Sequence, residues 1–137
     1  MLDIPIYTGV NAPREHQRTI GKLFLGLGNL FTQGQIALEP FPETMINESE
    51  TSPTPDVMLL DNAQDKIKVI IEVSGTTGFK KDFKKTIELA EEYEVDEGFV
   101  YDYKTGNWRK YKLGVGEISE NPSFCDAIGY DLGQFVK

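Results

Sequence analysis

Apolar residues at Ile20, Leu23, Phe24, Leu27, Leu30 and Phe31 follow the three-and-four spacing of one helix face, and Pro13 suits a first helical turn. Residues 12–30 are therefore predicted helical. Gly21, Gly26 and Gly28 each lower helix propensity by about 1 kcal/mol relative to Ala, so either the end frays or something packs close to it; the predicted end lies near Gly28. Residues 35–41 read as a short strand closed by Pro40 and Pro42, and the polar residues 43–54 as a loop.

Two apolar runs, 57–60 and 67–73, flank the turn-forming stretch DNAQD, which predicts a hairpin. With the turn centred near Ala63 and Gln64, paired positions sum to about 127 or 128, placing Asp56 opposite Ile71 or Glu72. Strand parity puts Ile67, Val69, Ile71 and Val73 on one face and Lys66, Lys68, Ile70 and Glu72 on the other.

Phe79, Phe83, Ile87, Ala90 and Tyr93 recur every three or four residues among lysines and glutamates, so residues 79–93 form a helix that packs by this stripe. GFVYDY and WRKYKL are two further strands around the turn KTGN, whereas the scattered apolar residues of 114–137 support no assignment. The order helix, strand, hairpin, helix, strand, strand indicates an α/β fold, with a central mixed β-sheet flanked by helices and no internal repeat.

The 137 residues suffice for one ordinary core, so one domain spanning 1–137 is expected. No apolar run approaches the roughly 20 residues of a membrane span, and the first ten residues lack a signal-peptide pattern, which suggests a soluble, cytoplasmic protein. Cys125 is the only cysteine, excluding an internal disulfide framework and a thiolate zinc cage. The net charge of -8 argues against binding nucleic acid through the whole surface, but it leaves room for a local basic groove. Charge is segregated along the chain. Residues 39–65 hold seven carboxylates and no Lys or Arg, while 66–85 hold six lysines against Glu72 and Asp82.

Asp56 entering one strand and Glu72 ending its partner bring two hard oxygen ligands together, which suits a magnesium ion that bridges to a substrate phosphate. Lys80, Lys81, Lys84 and Lys85 occupy the first two turns of the following helix, where the backbone dipole disfavours cations. Phosphate would suit them, although they also answer the overall negative charge. A Glu15 carboxylate facing the sheet end would supply a third metal oxygen, and its neighbour His16 reads as a surface or capping residue. Trp108, Tyr101, Tyr103 and Tyr111 offer a base-stacking surface, yet core packing explains them better. Cys125 has no basic neighbour that would activate a thiolate, and VSGTTG lacks the residues of a phosphate loop.

The series PDVMLL, IIEV, a lysine-rich helix and EYEVDEGFVYDYKTGNWRKYKL resembles the restriction-endonuclease-like superfamily with the PD-(D/E)XK motif, and within it the Uma-type endonuclease family, the second of that name. The likeness runs from EHQRTIGKLFLGL through GQIALEP to DAIGYDLGQF. Asp56, Glu72 and Asp82 match the family's acidic positions. Two positions depart from it: the turn after the glutamate reads SGTTG, and the family's helix lysine falls on Thr86, with Lys85 one residue early. One residue is about 100 degrees of helical rotation, so Lys85 reaches the same place only if its stem bends round. Ser74 also takes the lysine place of the plain E-x-K motif.

The resemblance implies a metal-dependent nuclease acting on a phosphodiester, plausible for DNA, with Mg2+ or Mn2+ held by Asp56 and Glu72 and with Lys85 stabilising charge on the attacked phosphorus. Nucleic acid would be the substrate partner. A homodimer would be needed to cut both strands of a duplex together. The alternative is a catalytically inactive member acting as a binding or assembly module, which Thr86, Ser74 and the negative charge favour. An acidic DNA mimic is the remaining reading, and it leaves the lysine cluster unexplained.

Overall fold

The computed structural model describes residues 13–44, 46 and 53–137. Helix α1 (Arg14–Thr32) is followed by strands β1 (Leu38–Pro42), β2 (Val57–Asp61) and β3 (Lys66–Ser74), helix α2 (Phe79–Glu92), then β4 (Glu97–Asp102), β5 (Trp108–Lys112) and β6 (Gly116–Ile118). These six strands form one sheet in sequence order. Neighbours are antiparallel except β3 and β4, whose parallel pairing requires the crossover that α2 provides. The predicted α/β class and mixed sheet are observed.

Among the described residues, each face of the sheet carries one α-helix and one core. Ile20, Leu23 and Leu27 of α1 pack with Val57, Leu59, Val69, Ile71, Val73 and Phe99. Phe83, Leu89 and Ala90 of α2 pack with Met58, Ile70, Val100 and Tyr111 on the opposite face. Burying each large aliphatic side chain contributes about 1.5–3 kcal/mol, which fixes both helices against the sheet. The aromatic residues belong to this packing: Trp108 meets Phe99 edge-on and lies 4.6 Å from the Tyr101 ring.

Four expectations need correction. Helix α1 continues beyond Gly28 to Thr32, because its apolar stripe is still being buried there. Gly26 is a close-approach position, where a methyl group would overlap the ring of Phe135. Strand β1 starts at Leu38, later than predicted, and runs through Pro40 and Pro42. It tolerates both prolines because it is the sheet edge, where missing N–H groups cost no ladder partner.

In the hairpin, positions sum to 128 from Val57↔Ile71 to Leu59↔Val69, then to 127 from Leu60↔Ile67. Both predicted registers therefore occur, joined at a bulge that leaves Lys68 without an opposite residue. The extra residue breaks the alternation. Ile67 consequently joins Met58 and Ile70 on the α2 side, contrary to the parity that grouped it with Val69.

Helix α2 presents Phe83, Thr86, Leu89 and Ala90 as its buried line, while the predicted Phe79, Ile87 and Tyr93 are only partly buried. In the tail, β7 (Phe124–Cys125) and β8 (Tyr130–Asp131) form a small ribbon, followed by a 3-10 helix at Leu132–Phe135. Of the predicted loop 43–54, residues 45 and 47–52 lie outside the described residues.

Candidate active site

Pro55 is buried and leads into β2, so Asp56 stands at the strand entrance with its side chain only 16% exposed. The register that pairs Val57 with Ile71 brings Asp56 opposite Glu72, near the end of β3. The two residues clasp each other through the backbone. The Asp56 N–H donates to Glu72 Oε1 at 2.9 Å, and the Val73 N–H donates to Asp56 Oδ2 at 2.8 Å.

Two carboxylates in a partly buried site repel each other and lose hydration. Burial, then the Asp56 charge and that of Asp82, push Glu72 from its usual 4.5 up to about 8, against the Asp56 N–H and Lys85. Burial also raises Asp56, with Glu43 and Asp82 adding to it and the Val73 N–H and His16 opposing. The pair shares its protons as one titrating unit.

Helix α1 turns His16 toward this site. Its Nε2 donates to the Val73 carbonyl at 2.8 Å and lies 3.8 Å from Asp56 Oδ2. That bond requires the proton on Nε2, and the ring is held edge-on to Tyr103 at 5.9 Å. Glu15, expected as a third ligand, points outward and pairs with Arg18. The two residues are successive on a helix, about 100 degrees apart, so only one of them can face the sheet end.

Lys80, Lys81, Lys84 and Lys85 are exposed, but Lys85 alone among them lines a cavity of about 250 Å³. Pro53, Thr54, Pro55, Glu72, Thr86 and Leu89 form the rest of its wall. The Lys85 stem thus reaches the Glu72 side of the site, one residue before the position the resemblance implies. Thr86, at that position, is completely buried. Ser74 is also buried, and its hydroxyl donates to the Gly75 carbonyl.

Asp56, Glu72 and Lys85 are therefore neighbours, joined by Asp82, which the resemblance matched to one of the family's acidic positions, and by His16 and Glu43, whose proximity the one-dimensional reading did not assign to the site. His16 was legible only as a helix residue, since its facing depends on how α1 docks. Among the described residues, no group of three or more His, Cys, Asp or Glu side chains is arranged to hold a metal ion. The donor set here is two carboxylates. Hard oxygens in this number fit Mg2+, which retains several waters and uses one or two carboxylates together with substrate phosphates.

No protein-family model matches the chain, and a search of curated proteins finds no match. Among solved structures, the chain is similar to a DUF820 protein of Anabaena variabilis described as a candidate nuclease, with a TM-score of 0.66, 14% identity, and coverage of 92% of this chain and 84% of that one. It is also similar to part of the type IIG restriction endonuclease BpuSI, with a TM-score of 0.52, 12% identity and 88% of this chain covered. The match spans 15% of that enzyme's length. At such identities the likeness establishes the fold, which is restriction-endonuclease-like. Among the described residues, no helix is long and apolar enough to cross a membrane.

Proposed function

We propose that this protein is a metal-dependent nuclease that hydrolyses phosphodiester bonds of nucleic acid, of the Uma type that the sequence resembles. The carrying observation is the Asp56–Glu72 clasp beside Lys85: two carboxylates with raised proton affinity, of which Glu72 lines a cavity that Lys85 also lines. The two similar structures named above carry nuclease descriptions, which supports the same reading.

Asp56 and Glu72 would hold Mg2+ or Mn2+, displacing the proton that Glu72 otherwise keeps. When bound, such an ion polarises a phosphate oxygen and lowers the pKa of a water. Lys85 would offset the negative charge that builds on the phosphate, because its flexible side chain lines the same cavity as Glu72. His16 steadies the end of β3 through the Val73 carbonyl, and so fixes the acceptor geometry of Asp56. A symmetric dimer would present two such sites to a duplex.

The test is cleavage of labelled single- and double-stranded oligonucleotides with Mg2+ or Mn2+ and with chelator. Metal-dependent products that disappear in Asp56→Ala support the proposal, and chelator-resistant products equal in both proteins refute it. The burial of Thr86 where the resemblance places a lysine favours a second reading, an inactive member that binds without cutting. Retained nucleic-acid binding without cleavage under any metal condition would select it.

A further inference from the structure

The cations of the chain fall into two sets. Lys66 and Lys68 face Asp96, Lys110 and Lys112 share Asp126, and Arg109 grips Glu117, so each answers a carboxylate of the protein itself. Lys80, Lys81, Lys84, Lys85 and Lys104 are exposed, and among the described residues they form no ion pair. The fold alone does not favour this arrangement. The helix dipole opposes cations in the first turns of α2, and Lys80 with Lys84 and Lys81 with Lys85 set like charges four residues apart. At about 100 degrees per residue, these four span the helix face turned away from the buried line of Phe83, Thr86 and Ala90.

Lys104 joins them from another element. It lies in the turn from β4 to β5, and its Cε is 4.0 Å from where a Cβ on Gly75 would stand, in the turn that leads from β3 into α2. Lys80 and Lys81 open that helix, and Lys81 stands one turn before Lys85, which lines the cavity with Glu72. The three lysines therefore rim the end of the sheet that carries the acidic pair. Asp56, Glu72 and Asp82 are half-buried there, whereas the ammonium groups stand in solvent.

We infer that Lys80, Lys81 and Lys104 form a track that takes the phosphate backbone of a nucleic acid past Asp56 and Glu72. The inference rests on the proposed nuclease function and names the contacts that hold its substrate. Ammonium groups left unpaired on the protein bind phosphates without reading sequence, and they release counterions condensed on the polymer. A local track of this kind is compatible with the net charge of -8, because the remaining lysines and arginines of the sheet are already neutralised by their own partners. An anionic membrane is the rival polyanion. It fits less well, since the exposed large apolar residues Phe24, Leu25, Val115 and Phe124 all lie outside α2 and the β4 to β5 turn.

The test is fluorescence anisotropy of short labelled DNA, duplex and single-stranded, over a series of KCl concentrations, with Ca2+ and with chelator, so that no cleavage is needed. The double variant Lys80→Gln, Lys81→Gln should bind about tenfold more weakly at low salt. Its slope of log affinity against log salt should shrink by about 0.9 per lysine on duplex, or about 0.7 on a single strand. Lys104→Gln should shrink the slope by one such step. Lys66→Gln, Lys68→Gln removes equal charge from the paired set at the far end of β3 and should bind like wild type. Equal weakening in the two double variants would mean that net charge alone acts, and undiminished binding in Lys80→Gln, Lys81→Gln would mean that the track is idle; either result overturns the inference. So does a wild type that binds neither DNA, whether or not it binds phosphatidylserine vesicles. A wild type that binds in the expected pattern yet cuts nothing under any metal condition ends the nuclease reading and leaves the track standing. A wild type that cuts, with KM unchanged in Lys80→Gln, Lys81→Gln, does the reverse.

Discussion

Two acidic groupings on the sheet, one buried at Glu97 and one partly buried at Asp56 and Glu72, are built in opposite ways. At the head of β4, Glu97 is 1% exposed and completely served: Lys110 lies 3.0 Å away, and the Asp126 and Ala127 N–H groups each donate to it at 2.8 Å. Lys110 also donates to the Phe124 carbonyl and to Asp126, so the tail is pinned to the sheet. At the junction of β2 and β3, Asp56 and Glu72 receive one backbone donor each, and acidic neighbours outnumber the cations that offset them. A carboxylate surrounded by its own donors is structural. Two left short of positive charge, one of them lining an open cavity, are what the proposed cation site would use.

Removing one partner of the satisfied cluster should do the most damage to folding. Glu97→Ala leaves Lys110 buried with Asp126 as its remaining carboxylate, and should cost about 3 kcal/mol, read from urea unfolding midpoints. An effect below ~1 kcal/mol would erase the contrast between the clusters. Glu72→Gln should act in the opposite sense: metal-dependent cleavage falls by ~10²–10³, roughly the loss expected for a group acting on developing charge, while the fold stands. Unfolding of that variant would make Glu72 structural and end its assignment to the site.

The same residue predicts the shape of stability against pH. Glu72 keeps its proton to about pH 8 in the folded protein, whereas in the unfolded chain it loses it near 4.5. Between those values the folded state binds the extra proton, so stability should decline as pH rises and level off above about 8. Unfolding midpoints at pH 5, 6.5 and 8.5 should show this decline in the wild type and a shallower one in Glu72→Gln. Identical slopes would mean that the carboxylate is not strained. Lys85→Ala should have a smaller effect on cleavage, about 10-fold to 100-fold, and Lys84→Ala almost none; equal activity in the two variants would remove lysine from the mechanism.

The contrast also explains what could be read from the chain in advance. The hairpin was legible because turn residues and apolar alternation are local, and Asp56 and Glu72 followed from counting across the turn. The bulge at Lys68 was not, since it depends on how β3 accommodates two partners at once, and it moved Ile67 to the other face. Pro40 and Pro42 misled because edge position is a property of the sheet and not of the strand. The Glu97 cluster stayed invisible: its donors come from 13 to 30 positions away, and no local pattern announces a buried charge whose partners are that distant. Thr86 could have been suspected from its place on the α2 face, but its closeness to Gly98 emerges only when helix and strand meet.

The central claim is that Asp56 and Glu72 together form a cation site, and calorimetric titration with Mg2+ and Mn2+ tests it without needing a substrate. Saturable binding at millimolar concentration or tighter in the wild type, lost in folded Asp56→Ala, is the predicted result. No metal-dependent heat in the wild type, or binding unchanged in Asp56→Ala, would contradict it.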